Sequence, residues 1–312
     1  MQGKKLDQHY INSCFNYTGN KYKQLDQLFH YFPKNTDTFV DLFCGGSVVG
    51  LNALKQLNTQ KVIINDNSKQ LMNIFRYFKD HSYSDIKRQI DDIIDYYDLS
   101  RTSELGYKFY GVDSSKGLAA VNKASFMKLR ADYNANTYDS KYAKAVIFYV
   151  LIVFAFNNQI RFNRKNEYNL PVGKRDFNLK MQHKLRDFVE ALHDQRIEIK
   201  STDYANIDIP INSFVYCDPP YSITTATYSE GNSWSINDDQ RLFKFLDQLD
   251  KNHIMFALSD VLYHNGRENT VLLQWSKKYR IHQIEFNYNN SNYHSQAKRH
   301  KTKEVLITNL KD

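Results

Sequence analysis

Apolar and polar positions along the chain follow two alternating rhythms. Short β-rich runs bounded by turn residues give way to stretches in which apolar positions recur every three or four residues, as in strands joined by crossover helices. Residues 38–43 (TFVDLF) predict a strand that breaks into Gly45-Gly46, followed by a helix over 48–57. Residues 61–65 (KVIIN) predict a second strand ending at Asp66, and 69–79 a second helix. The alternation resumes late, with strands expected over 197–201, 213–216, 253–258, 280–286 and 305–308. A helix is expected over 238–249, opened by a capping box that starts at Ser235.

The middle of the chain differs. From about 69 to 156 the period is helical, with helices predicted over 83–97, 117–134 and 139–156, and the strand signal is almost absent. Residues 157–175 (NNQIRFNRKNEYNLPVGKR) are polar, basic and rich in turn formers. The pattern predicts an α/β fold interrupted by an insertion of mainly helical character. Residues 1–70 and 195–312 would form the catalytic domain and 71–194 the inserted one.

Composition narrows the class. With 42% apolar and 24% charged residues the chain reads as a soluble globular protein. The longest apolar run, 145–156, has 12 residues. A bilayer core needs roughly 20, so no membrane span is expected. The N-terminal MQGKKLDQHY has no apolar core of a secretion signal, and Cys14, Cys44 and Cys217 are scattered with no CxxC spacing. A cytoplasmic protein without a disulfide scaffold or a cysteine-rich zinc site is expected; no metal site of any kind is expected, and His183 and His193 read as surface residues. Lys plus Arg exceeds Asp plus Glu by 42 − 34 = 8. That surplus favours a polyanion, nucleic acid before an anionic membrane.

The residues with the clearest chemistry are Asp218-Pro219-Pro220-Tyr221, directly after a predicted strand; they hold two of the chain's five prolines. Consecutive prolines fix φ and remove two N–H donors, so the chain leaves the strand on a stiff path. A carboxylate, free carbonyls and an aromatic plane then meet at the carboxyl end of a strand, where open α/β sheets bind ligands. That set suits an amino group on a flat ring, although a stiff turn would use the same residues. The second motif, Asp41-Leu42-Phe43-Cys44-Gly45-Gly46-Ser47, passes from strand through glycine turn to helix. It fits a cofactor loop or a structural turn alike. Asp66, about 20 residues on at the end of the next strand, is placed as an acid that takes ribose hydroxyls.

In order and spacing these segments resemble the Dam-like (D12 class, alpha group) DNA adenine-N6 methyltransferases. The order is Tyr17-Thr18-Gly19-Asn20-Lys21, the 41–50 loop, Asp66, the insertion and Asp218–Tyr221. The resemblance spans roughly 15–310. It implies a Rossmann-like methyltransferase mixed sheet with helices on both faces, plus an inserted mainly helical DNA-recognition domain with a β-hairpin at about 157–175. It implies S-adenosyl-L-methionine as methyl donor and double-stranded DNA as substrate, in a bacterial or phage-infected cell, acting as a monomer or weak dimer. Tyr17, Lys21, Asp41, Phe43, Cys44, Gly45, Ser47, Asp66, Asp203, Tyr204 and Asp218 would surround the cofactor. Asp218 and the Pro219 carbonyl would bind the adenine amino group, with Pro220 stiffening the turn and Tyr221 stacked on the flipped base.

For DNA, the resemblance implies Asn157, Gln159, Arg161, Asn163, Arg164, Pro171 and Lys174 in the hairpin, with Phe156 and Asn157 at the target step. Arg161 would contact guanine and Lys174 phosphate. Arg suits guanine and Asn or Gln suits adenine in the major groove, yet the stretch also fits a solvated basic loop. Lys298 and Arg299 would track the DNA backbone or simply carry surface charge. Two positions depart from the family. Ser47 stands where glycine is common, and Gln159 where GATC-methylating members have an apolar residue, so the recognition sequence stays open. An RNA methyltransferase, a glutamine-amide methyltransferase and a catalytically silent DNA-binding protein are the competing readings. Asp at 218 and the long insertion speak against the glutamine enzymes, and the intact Asp218, Pro219 and Tyr221 against the silent one.

Overall fold

The computed structural model describes residues 10–224, 234–285 and 302–311. In chain order, α1 (Leu25–Tyr31) leads to β1 (Thr38–Asp41), α2 (Val48–Gln56) and β2 (Lys61–Asn65). Helices α3 (Lys69–Asp80), α4 (Tyr83–Tyr96), α5 (Thr102–Phe109), α6 (Ala119–Ala135), α7 (Lys144–Phe154) and α8 (Leu179–Leu192) follow. The chain then returns through β3 (Ile197–Lys200), β4 (Ser213–Cys217), α9 (Ile236–Lys251), β5 (Met255–His264) and β6 (Arg267–Glu268). It continues through α10 (Thr270–Ser276) and β7 (Arg280–Ile284) to β8 (Lys303–Thr308).

The strands form one mixed sheet in the order β3-β2-β1-β4-β5-β8-β7, with β6 paired to β5. The first five are parallel neighbours, whereas β8 runs antiparallel to both β5 and β7. Alternate side chains serve opposite faces. Phe39, Val62, Ile64, Phe214, Tyr216 and Leu306 pack toward α2, α3, α7 and α8. Val40, Ile63, Val215, Cys217, Leu258 and Ile307 pack toward α9 and α10. Burial on both faces explains why these strands read as unbroken apolar runs. The architecture is the expected Rossmann-like mixed sheet with helices on both faces.

Helix α7 is buried along Val146–Phe154. A helix apolar on all sides must be wrapped by others, and α3, α4 and α6 do so. Its apolar residues join one continuous core with the adjacent sheet face. Among the described residues no helix is long and apolar enough to cross a membrane.

Several elements differ from the sequence expectation. β5 continues to His264 because Ser259 and Asp260, polar residues that interrupt the apolar run, are nevertheless buried in it. α7 begins at Lys144 rather than 139, because Asp139 turns back to accept the Lys141 N–H. α5 buries none of its residues, so it carries no apolar period to detect. In 157–175 the antiparallel pairing consists of two isolated bridges, Ala155↔Val172 and Phe162↔Tyr168. Asn157, Asn158 and Asn166 there have left-handed backbones, and Asn163 Oδ1 accepts the Lys165 and Glu167 N–H groups. Such side-chain bonds compete with a ladder. Residue 286 of the predicted 280–286 strand, and Lys298 and Arg299, lie outside the described residues.

Candidate active site

Strand order reverses between β1 and β4, which leaves a crevice at their carboxyl ends, the usual ligand position in open α/β sheets. Both sequence motifs emerge there. The Leu42 N–H donates to the Tyr216 carbonyl (3.0 Å) and the Cys44 N–H to that of Asn65 (2.8 Å), so main-chain bonds fix the start of the loop. Gly45 has φ +45°, and a Cβ there would lie 2.5 Å from Cε1 of Tyr17. Tyr17 thus covers the turn, and its close approach is what demands glycine. Ser47 has φ +56°, a left-handed backbone that glycine would adopt without strain.

Asp41 is buried at the end of β1. One carboxylate oxygen accepts the Gly50 N–H (3.0 Å); the other, Oδ1, is buried with no partner. Burial, with Asp218 and Asp66 nearby, pushes its carboxyl well above the usual range despite the Gly50 bond. Asp66 accepts the Gly45 N–H (3.0 Å) and the Ser68 N–H (2.8 Å), which ties the first glycine turn to the start of α3. Burial raises its pKa, and those two bonds oppose the rise. Beneath it Asn65 donates to the carbonyls of Leu42 and Thr202 and accepts from the Thr202 N–H. One side chain therefore fastens the ends of three strands.

Asp218 follows β4 and meets partners from distant parts of the chain. Its Oδ1 lies 3.0 Å from Lys21 Nζ and accepts the Tyr221 hydroxyl (2.7 Å). Lys21 Nζ also lies 2.9 Å from Glu304 Oε1 and donates to the Tyr221 oxygen (2.6 Å). Gln24 Nε2 holds the other Glu304 oxygen (2.8 Å). Glu304 reaches this edge because β8 is reversed: its start lies beside the end of β5, one strand away from the end of β4. Burial raises the Asp218 pKa, with Glu304 adding and Lys21 and Tyr221 opposing. Burial alone would lower that of Lys21, but Asp218 and Glu304 outweigh it and hold the ammonium charged.

A cavity of about 940 Å³ joins these groups. It is lined by Tyr17, Lys21, Asp41, Phe43, Cys44, Gly45, Asp66, Asp203, Tyr204, Asp218, Pro219, Pro220 and Tyr221, with Gln159 and Phe162 from the insertion. Asp203 pairs through both oxygens with Arg241 (2.9 and 2.7 Å), whose guanidinium lies 4.9 Å from the Tyr204 ring centre. The Tyr204 ring packs against Phe43, and its hydroxyl is buried without a partner. Burial pushes that phenol up to about 12.

The polar residues of 157–175 are not all presented outward. Arg161 is turned back onto Asn169 (2.8 Å), and Asn163 closes the turn onto Glu167. Asn157, Arg164, Pro171 and Lys174 are exposed, as is Phe156 at 47%. The segment is fastened from α6: Asn134 donates to the Tyr168 carbonyl and accepts its N–H, and Arg130 donates to the Leu170 carbonyl. Asn16, next to Tyr17, donates to Asn158 (2.9 Å).

Sequence reasoning does not single out Glu304, Gln24, Asn65, Asn134 or Trp234. Each is a single polar or aromatic residue with no motif around it. The one signal for Glu304 is topological, the reversed entry of β8 into the sheet, and no local pattern carries it. Trp234 lines the cavity and donates to Asp239 (2.6 Å).

A family model described as D12 class N6 adenine-specific DNA methyltransferase matches residues 17–290. The chain is 36% identical to the type II methyltransferase M.FokI of Planomicrobium okeanokoites, over 98% of this chain and 44% of that protein. It is 36% identical to the modification methylase StsI of Streptococcus sanguinis, over 96% of this chain and 43% of that one. It is 28% identical to the type II methyltransferase M.MjaIII of Methanocaldococcus jannaschii, over 80% of this chain and 84% of that one. The chain spans less than half the length of the first two relatives.

Proposed function

Because this chain belongs to the D12 class of N6 adenine-specific DNA methyltransferases, we propose that it methylates N6 of an extruded adenine within a specific site in double-stranded DNA, using S-adenosyl-L-methionine. The observation that carries this reading is the cavity, which runs from the glycine turn and Asp66 to Asp218 and Tyr221 and also meets the insertion. Single small-molecule sites span roughly 300–1,000 Å³, so a cavity near the top of that range suits a cofactor and a base side by side. The residues fit this cofactor. Asp41, with one unpartnered buried oxygen, and Asp66 and Asp218 line a cation-favouring space, and the buried Tyr204 hydroxyl suits a purine edge.

S-adenosyl-L-methionine supplies an electrophilic methyl group on a positively charged sulfur. Tyr17, Phe43, Cys44 and Gly45 would shape the wall against its amino-acid part, with Ser47, buried behind that wall and off the cavity lining, supporting the turn. Asp66 would hold its ribose, and Asp203 and Tyr204 would flank its adenine. Asp218 would accept one hydrogen of the target amino group and the Pro219 carbonyl the other, drawing the nitrogen lone pair out of the ring. Pro220 keeps that turn stiff, and Tyr221 would lie against the base, since a base in a duplex must leave the stack to be reached. Orientation and charge placement then supply the rate. Phe156, Asn157, Gln159, Arg161, Asn163, Arg164, Pro171 and Lys174 would face the DNA, with Lys298 and Arg299 on its backbone. Residues 71–194 would act as the recognition unit. The relatives' names support a type II modification role; we place it in the cytoplasm of a bacterial or phage-infected cell.

Mapping modified adenines in DNA from cells that express the chain tests this directly. N6-methyladenine at one defined sequence is expected, and its absence would overturn the reading. Asp218→Ala should lower turnover by about 10²–10³-fold or more while cofactor affinity stays within a few-fold. Undiminished turnover removes Asp218 from the mechanism.

A further inference from the structure

The Lys21 ammonium has three hydrogens, and three acceptors surround it: Asp218 Oδ1, Glu304 Oε1 and the Tyr221 oxygen. The Tyr221 hydroxyl donates mainly to the same Asp218 Oδ1 (2.7 Å), with Glu304 Oε1 a longer second acceptor (3.3 Å). That oxygen is therefore filled twice, while Asp218 Oδ2 takes no hydrogen bond among the described residues. Glu304 is itself held, because Gln24, in the same short helical turn as Lys21, binds its second oxygen. We propose that Glu304 is a positioning residue that occupies the third donor of Lys21, keeping the ammonium off Asp218 Oδ2 so that this oxygen remains for the amino group of the target base. The inference rests on the methyl-transfer reading and deepens it.

Without the Glu304 carboxylate, Lys21 would have a spare N–H. The nearest anion is Asp218, whose open oxygen it would cover. Two consequences follow. The acceptor for the substrate amine is masked, and Asp218, freed of the Glu304 charge and paired more tightly with its cation, ionises at lower pH. The other charged or titratable groups around Asp218 are Asp41 from β1, Tyr216 and Cys217 from β4, Asp260 from β5 and Tyr221. Glu304 also raises the phenols of Tyr216 and Tyr221, which stay protonated well above the acid limb with or without it.

Full-length chain, S-adenosyl-L-methionine and duplex DNA carrying the mapped site allow the test, with kcat followed against pH. Glu304→Gln should lower kcat by about 10–100-fold, with cofactor Kd and melting temperature close to wild type. The acid limb should move to lower pH by about one unit. Glu304→Asp retains the charge on a shorter arm, and should keep the wild-type limb with an intermediate rate. In a Lys21→Met background, Glu304→Gln should cost nothing more, because the effect runs through the ammonium. An unchanged kcat, a loss that follows cofactor affinity and melting with the limb unmoved, or additive effects in the double variant would each overturn the proposal. A wild-type chain that methylates no adenine overturns the functional reading itself and this inference with it.

Discussion

The corner between β1 and β4 and the 157–175 segment both use irregular backbone around one cavity, yet they are fixed in opposite ways. At the corner, main-chain bonds from neighbouring strands and a glycine turn under Tyr17 determine the path. In 157–175 only two bridges remain, and Asn134 and Arg130 of α6 stand in for a missing strand. A backbone-fixed corner tolerates little change in its turn residues. A segment fixed by a few remote side chains can alter its outward surface while its anchors stay, which suits a surface that selects one sequence among many.

The sharpest way to break the contrast is Gly45→Ala. Left-handed strain and collision with the Tyr17 ring should together cost roughly 2–4 kcal/mol. Cofactor affinity measured by calorimetry should fall at least tenfold, and an unaltered Kd would show that the turn has slack. Asn134→Ala probes the other side. It strips the Tyr168 backbone of both partners, for about 1–2 kcal/mol of stability. DNA binding and site discrimination should weaken while cofactor affinity is retained; equal loss of both would mean that the two regions are not held independently. The smallest effect is expected from Ser47→Gly, which relieves a left-handed serine. It should gain up to about 1 kcal/mol and about 2 °C in melting temperature, and a lower melting temperature would contradict the strain assigned there.

What could be read from the sequence alone was whatever local chemistry determines. The β1 and β4 strands were visible because both faces are buried, and Asp218–Tyr221 because prolines rarely cluster after a strand. The glycine turn was visible but ambiguous until Tyr17 was seen lying on Gly45. Glu304 was invisible for a geometric reason: its meaning comes from entering the sheet antiparallel beside β5, some eighty residues after Asp218. Arg161 marks a different limit. Its type suits guanine, and in the structure its guanidinium also meets Asn169, a partner that residue type alone does not reveal.

The reversed strand also bears on how the molecule is made. Until residue 308 has left the ribosome, β5 and β7 have no strand between them, and β5 presents an open apolar edge of the kind that invites aggregation. Glu304, the second acidic partner of Lys21, arrives with the same six residues. A nascent chain can therefore complete its glycine turn and its proline corner early and still lack both the wedge that closes the sheet and the anion that balances the site.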